Sequence, residues 1–146
     1  MPRIMKSLNN ISRCQSIYRL DKIACPDLAA CHHALVLTIC RVPGWSQEEL
    51  ARDLCLNKST VARTLNQLEE RGYVIRTADK DDKRRLLVYP TEKMLAVYPT
   101  VRRVTTEWND MLEKDISAEE LAVFHSVLQR MELRAKDIVS DTEGKR

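Results

Sequence analysis

The fold of this 146-residue chain is decided by residues 46–91, SQEELARDLCLNKSTVARTLNQLEERGYVIRTADKDDKRRLLVYPT. Ser46 followed by Glu49 fits the capping box that opens an α-helix, in which each side chain accepts a free backbone N–H of the other residue. Asn57 is suited to cap a second helix in the same way. Gly72 is suited to end that helix, because glycine adopts a left-handed backbone at low cost. The stretch therefore predicts helix, turn and helix.

Two β-prone runs follow, at residues 73–76 and 86–89, and the residues between them are polar and charged. This pattern predicts a β-hairpin whose tip spans residues 77–85. The tip carries three consecutive cations, Lys83, Arg84 and Arg85.

The second helix has two different faces. Val61, Leu65 and Leu68 recur at helical spacing and predict a buried stripe. A helix with a polar, basic outer face fits a DNA major groove, and a basic hairpin beside it can reach a phosphate or the minor groove. DNA binding is therefore the leading hypothesis. The residues that lie mostly off the apolar stripe are Lys58, Ser59, Thr60, Arg63, Thr64 and Gln67.

The predicted DNA contacts of the helix differ in their chemistry. The guanidinium of Arg63 is suited to bind guanine O6 and N7 together. The hydroxyl groups of Ser59 and Thr60 are suited to phosphates or base edges near the free N–H groups of the first turn. Weaker contacts to the DNA backbone are expected from Lys58, Gln67 and Arg71. The alternative interpretation is that this face is simply solvated.

In the hairpin, we expect Arg84 to enter the minor groove and Lys83 and Arg85 to bind the flanking phosphates. The alternative is a solvated charge run, because nearby carboxylates nearly balance these cations. Those carboxylates belong to Asp79, Asp81 and Asp82.

Composition limits the class of protein. The net charge of +3 is only mildly basic, so DNA affinity must come from the placement of the cations. The length predicts one domain over residues 1–146. No apolar run is long enough to cross a membrane, and residues 1–15 lack the apolar stretch of a secretory signal. Since the five cysteines are an odd number, we expect reduced thiols and a cytoplasmic protein.

The N-terminal part predicts two helices. An imperfect apolar stripe spans residues 6–24. A second helix is predicted over residues 28–41, with Asp27 as its N-cap. Because this helix is apolar almost all round, we expect it in the core, together with its cysteines Cys31 and Cys40.

The C-terminal part predicts two long helices. The first spans residues 91–114, with Pro99 inside it as a kink or a lost hydrogen bond. Ser117 with Glu120 forms a second capping box, and the final helix runs to about residue 140. Apolar side chains recur along both helices, and a domain this small is not expected to bury all of them. We therefore predict a two-fold dimer on a pseudo-palindromic site, with residues 6–24 and 91–140 as dimerisation helices.

The layout resembles the MarR family of bacterial transcriptional regulators over nearly the whole chain. LNKSTVARTLNQLEERGYVIRT resembles the recognition helix and first wing strand of that family. DKRRLLVYPTEK resembles its second wing strand, with the Asp-x-Arg pattern at Asp82 and Arg84. Two features depart from the family pattern: Pro90, where the family has an apolar residue, and the junction between the first two helices.

The resemblance implies a mostly α fold with a small β-hairpin wing, that is, a winged helix-turn-helix between long dimerisation helices. It also implies a homodimer that represses transcription and leaves DNA when a small aromatic molecule or a redox signal arrives. Asp82 would orient Arg84 without contacting DNA. A small-molecule pocket is implied between the dimerisation helices and the DNA-binding part, and its candidate lining residues are Tyr18, Arg19, His32 and Trp108.

The remaining chemistry is sparse. Cys14 is the candidate redox residue, since some peroxide-sensing members of the resembled family carry a thiol in that part of the first helix. Cys25, Cys31, His32 and His33 match no standard zinc spacing, so no metal is expected. No glycine-rich phosphate loop, paired-carboxylate motif or nucleophile motif occurs, so neither an enzyme nor a cofactor is predicted. Two alternatives remain: a winged-helix protein-interaction module without specific DNA binding, and a thiol-based redox-sensing regulator.

Overall fold

The computed structural model describes residues 3–143, with side chains described for residues 3–140. It confirms the predicted fold class, because helices dominate and a single hairpin is formed. A 3₁₀ turn at Ala30–His32 precedes the second helix. The elements are α1 (Ile4–Lys22), α2 (His33–Arg41), α3 (Gln47–Asp53), α4 (Lys58–Glu70), β1 (Val74–Ala78), β2 (Leu86–Pro90), α5 (Glu92–Glu113) and α6 (Ala118–Glu143).

The chain divides into two compact units, and the boundary falls within α5, between Trp108 and Asn109. The first unit contains the hydrophobic core, to which α2, α3, α4, β1, β2 and α5 contribute. Among its fully buried side chains are Val36, Leu50, Val61, Leu65, Leu68, Met94, Val101 and Val104. A single domain over residues 1–146 stays a prediction.

The predicted helix ends of residues 46–91 are confirmed. The Ser46 hydroxyl accepts the Glu49 N–H at 3.2 Å, and the Glu49 carboxylate accepts the Ser46 N–H at 2.7 Å. The Asn57 side chain accepts the Thr60 N–H at 2.8 Å. Gly72 has a φ of +78°, the left-handed conformation expected where α4 ends. Local chemistry therefore sets where α3 and α4 begin and where α4 stops.

The hairpin pairs β1 and β2 antiparallel, with Val74 opposite Pro90. Pro90 ends its strand, which is a position where a missing N–H is tolerated. Residues just before α3 add to the sheet: the Val88 N–H donates to the Trp45 carbonyl at 2.9 Å, and Ser46 bridges Leu87. These bonds tie the base of the hairpin to the start of α3.

The predicted start of α2 is wrong. The helix begins at His33, and Asp27 does not cap it. The Asp27 carboxylate lies 3.4 Å from Lys93 Nζ, and the His32 ring accepts the Ala29 N–H at 3.1 Å, which favours a tight turn. Cys31 is exposed on this turn, so its predicted place in the core is also wrong.

The two long helices begin and end close to their predicted bounds. α5 continues through Pro99. In the second unit, Ser117 and Glu120 form the predicted capping box, with the Glu120 N–H donating to the Ser117 hydroxyl at 3.2 Å. Within the described part of the chain, no helix is both long enough and apolar enough to cross a membrane.

Candidate nucleic-acid interface

The polar face of α4 lies where the helical pattern predicts it. Lys58, Ser59, Arg63 and Gln67 are exposed, whereas Thr60 and Thr64 are half-buried. Two hydroxyl groups already donate within the helix. The Ser59 hydroxyl donates to the Asn57 side chain at 2.9 Å, and the Thr64 hydroxyl donates to the Thr60 carbonyl at 2.8 Å. Arg63, Lys58 and Gln67 are therefore the stronger donors toward a ligand on this face.

Arg76 on β1 holds α4 in place, a role that the sequence interpretation missed. Its guanidinium bonds Glu69 at 2.6 and 3.2 Å, Asn66 at 2.6 Å and Gln47 at 2.9 Å. These three partners lie on α4 and α3, so one side chain joins the strand to both helices. The Arg76 side chain is only 15% exposed, and its hydrogen bonds lower the pKa of Glu69.

A signal for this network was present in the sequence. Side chains alternate between the two faces of a strand, so Arg76 shares a face with Val74, which is buried. A cation on a buried face needs a paired carboxylate. Glu69, near the end of the preceding helix α4, is a carboxylate that could pair with this cation.

The tip of the hairpin, residues 79–85, is closed by backbone hydrogen bonds. The Asp79 N–H donates to the Arg85 carbonyl at 2.9 Å, and the Arg85 N–H donates to the Asp82 carbonyl at 2.9 Å. The Asp82 carboxylate accepts the Arg84 N–H at 3.0 Å. Asp82 therefore fixes the backbone of Arg84, and its role in orienting the Arg84 side chain on DNA stays a prediction.

The three cations of the tip are not equivalent. Lys83 and Arg84 are exposed, and the ion pairs found among the described side chains include neither of them. Arg85 is half-buried between two carboxylates, with Nη2 at 3.2 Å from Glu49 and Nη1 at 3.6 Å from Asp79. Arg84 and Lys83 are thus available to a phosphate, whereas Arg85 is already paired.

Residues predicted to line an effector pocket are brought together only in part. The rings of Tyr18 and Trp108 lie 5.3 Å apart between centroids. Arg19 Nε and both ring nitrogens of His33 are buried without a hydrogen-bond partner among the described residues. Burial, reinforced by the charges of Arg19 and His32, lowers the pKa of His33 to about 4, so this imidazole is neutral at pH 7.

His32 lies in a different place. It lines an open pocket of about 620 Å³ together with Leu28, Cys31, Gln67 and Arg71. Burial lowers the pKa of His32 as well, although a hydrogen bond that its ring donates to the Gln67 side chain opposes the shift. The sequence interpretation did not single out His33 as a polar core residue, although its spacing of three from the buried Val36 places it on the same stripe.

The cysteines vary in exposure. Cys14 and Cys55 are exposed. Cys25 Sγ lies 3.2 Å from the Tyr73 hydroxyl. Burial raises the pKa of Cys40 to about 11, so that thiol stays protonated and unreactive. Among the described residues, no three histidine, cysteine or acidic side chains form a group that could hold a metal ion.

Comparison with known proteins identifies similar regulators. The MarR family model matches residues 31–86. The transcriptional regulator HosA of Escherichia coli O127:H6 is 36% identical over 110 residues, which cover 73% of this chain and 78% of HosA. YybA, an HTH-type transcriptional regulator of Bacillus subtilis strain 168, is 29% identical over 117 residues, which cover 80% of this chain and 76% of YybA.

A solved structure extends the similarity to a complex with DNA. A MarR family transcriptional regulator from Listeria monocytogenes complexed with 26mer DNA matches with a TM-score of 0.86 and 26% identity. The match covers 94% of this chain and 91% of that one.

Proposed function

Because this chain belongs to the MarR family of transcriptional regulators, we propose that it binds a pseudo-palindromic DNA site as a cytoplasmic homodimer and represses transcription there. The observation that carries the proposal is the pairing of two exposed basic elements. Arg63 on α4 and Arg84 at the hairpin tip are both exposed. The hydrogen bonds of Arg76 join strand β1 of the hairpin to α4 and α3. The similar Listeria monocytogenes regulator, solved in complex with 26mer DNA, supports DNA as the ligand.

Each half of the surface has its own task. α4 is the recognition helix, and Arg63 reads a guanine edge in the major groove. The hairpin is the wing, with Arg84 in the minor groove and Lys83 on a neighbouring phosphate. Further contacts from α4 to the DNA backbone or base edges come from Lys58, Ser59, Thr60, Thr64 and Gln67.

The homodimer is supported by apolar side chains that the single chain leaves exposed. α1 buries none of its described residues, although Ile11, Ile17 and Leu20 lie on it. On α6, Val123, Phe124 and Val127 are exposed. A soluble monomer rarely exposes so much apolar surface along whole helices, so a second copy is the expected cover.

A small-molecule effector is the second part of the proposal. The buried, unpartnered N–H groups of Arg19 Nε and of the neutral His33 ring need an acceptor, and the Tyr18–Trp108 ring pair offers an aromatic wall. His33 replaces His32 in the predicted set. Benzoate, a simple aromatic carboxylate, should raise the melting temperature of the protein and weaken DNA binding. The Arg19→Met variant should lose both responses; unchanged responses in that variant would exclude this site.

The DNA-binding proposal is tested by selecting sites from a genomic fragment library and measuring affinity against salt concentration. We expect a palindromic site and a steep salt dependence. Arg84→Ala should weaken binding to all sequences and reduce the salt slope by about one, whereas Arg63→Ala should relax sequence preference. Arg103→Ala, which removes an exposed cation outside residues 46–91, is the matched control.

The same experiment separates the alternatives. If no site is enriched and neither arginine variant changes affinity, the protein-interaction module becomes the better hypothesis. If hydrogen peroxide abolishes binding and Cys14→Ser prevents that loss, the protein is a thiol-based sensor. Binding that is insensitive to peroxide leaves the small-molecule effector as the controlling signal.

A further inference from the structure

We propose that Arg85 is a positioning residue that fastens the wing to the start of α3 and thereby aims Arg84, and that Arg85 itself binds no phosphate. This inference rests on the proposed DNA binding, because it assigns a task within that surface. It also replaces the expectation that Arg85 binds a phosphate flanking the minor groove.

The first observation is that both ends of the Arg85 guanidinium are occupied. Nη2 lies 3.2 Å from the Glu49 carboxylate, and Nη1 lies 3.6 Å from Asp79. The Asp79 side chain is only 17% exposed, against 43% for Arg85. To reach a phosphate, Arg85 would have to leave both carboxylates. Arg84, one residue earlier, has no such cost.

The second observation is that the Glu49 carboxylate is itself held in place by a hydrogen bond at the start of α3. Its Oε2 atom accepts the buried Ser46 N–H at 2.7 Å in the capping box of α3, as well as the bond from Arg85. Hydrogen bonds from Ser46, with a smaller contribution from the charge of Arg85, keep the pKa of Glu49 below its ordinary value. The carboxylate is therefore ionised and held in place at pH 7, so it can anchor the wing.

The third observation concerns how the anchor reaches Arg84. The backbone of Arg85 closes the tip, because its carbonyl accepts the Asp79 N–H and its N–H donates to the Asp82 carbonyl, each at 2.9 Å. Asp82 in turn accepts the Arg84 N–H. Fixing the Arg85 side chain therefore fixes the short loop from which Arg84 projects. DNA binding then costs less conformational entropy, because the loop is already ordered.

The test compares Glu49→Gln with Arg85→Gln on the operator recovered by selection. Glutamine at position 49 can still accept the Ser46 N–H, so the cap is kept while the charge is lost. A clamp predicts that each variant weakens binding about two- to fivefold, the range of an exposed ion pair. The double variant should be no weaker than Arg85→Gln alone, and the salt slope should not change.

A phosphate contact by Arg85 predicts different changes in the salt slope and in the affinity of Glu49→Gln. Arg85→Gln would then reduce the salt slope by about one, and Glu49→Gln would tighten binding because it frees a cation and removes a negative charge. Glu48→Gln, which removes an exposed carboxylate one residue away, controls for the general effect of charge. Circular dichroism melts establish that each variant is folded before its affinity is compared.

The outcomes separate this inference from the proposed function. Weaker binding in both single variants, an unchanged slope and a double variant no weaker than Arg85→Gln alone support the clamp. A reduced slope, tighter binding by Glu49→Gln, or no effect of either variant overturns it. Arg84→Ala is measured in parallel. If it too has no effect, the wing makes no DNA contact, so the role proposed for Arg84 fails together with the clamp, whereas recovery of an operator still supports DNA binding by α4.

Discussion

The winged-helix region (residues 46–91) and the final helix α6 begin with the same kind of helix cap but differ in how far their apolar side chains are buried. Both begin with a serine–glutamate capping box, at Ser46 and at Ser117. Behind the first box, Leu50 and Leu65 are fully buried. Behind the second, no residue of 118–140 is buried, although α6 carries apolar side chains such as Phe124, which is 52% exposed.

The difference shows which contacts each part lacks. The winged-helix region has its apolar stripe covered and its polar face exposed, so what it leaves open is a surface for a charged ligand. α6 leaves its apolar residues open, so what it lacks is another apolar surface. A DNA-binding homodimer requires both kinds of surface, one for each partner. Three predictions test this contrast, in order of decreasing effect.

The largest effect is expected from Leu65→Ala. The side chain is fully buried in the core of the first unit, so its truncation should lower the free energy of unfolding by about 2–5 kcal/mol. Urea unfolding followed by circular dichroism measures this loss. The loss should be the same at low and at high protein concentration, because the contact lies within one chain.

Phe124→Ala is the matched change on α6. We expect a smaller loss of intrinsic stability and a dimer dissociation constant raised about tenfold, which analytical ultracentrifugation detects. The contrast fails if Phe124→Ala behaves like Leu65→Ala and lowers stability to the same extent at every concentration. It also fails if the wild-type protein is a monomer throughout.

The second prediction concerns acid. The pKa of His33 is about 4 in the folded chain and about 6.5 in the unfolded chain. The unfolded state therefore binds the extra proton first as pH falls. Stability should be complete above pH 6.5 and decline by about 3 kcal/mol by pH 4. Measuring urea midpoints across this range tests the sign and the window.

His33→Leu should remove most of this dependence. The slope that remains belongs to His32, whose pKa is also lowered by burial, and near pH 4 to Glu49 and Glu69, whose pKa values are lowered by hydrogen bonds. An acid transition that persists unchanged in His33→Leu would overturn the assignment.

What the sequence predicted depends on how far apart the interacting residues are. The capping boxes, the Asn57 cap, the α4 stripe and the Gly72 stop were all correct, because each depends on residues within one helix or its ends. The start of α2 was wrong because Asp27 pairs with Lys93, which is 66 positions away.

The candidate site divides in the same way. The exposure of Arg63 and Arg84 follows from helical period and from a polar loop, both local features. The pairing of Arg85 with Glu49 spans 36 positions, and that of Arg76 with Gln47 spans 29. Spacing along the chain cannot indicate such contacts; they depend on how the hairpin packs against α3.

The smallest effects are expected from the two caps, and they compare the regions most directly. Ser46→Ala and Ser117→Ala each remove one helix cap, which is worth about 0.5–2 kcal/mol. Ser46 is buried, bridges Leu87 and holds Glu49 beside Arg85, so its loss should lie near the upper end and should also weaken DNA binding. Ser117 is exposed, so its loss should lie near the lower end and should speed amide exchange in the first turn of α6 only. Equal losses in the two variants, with DNA affinity unchanged in both, would show that the cap of α3 has no part in holding the wing.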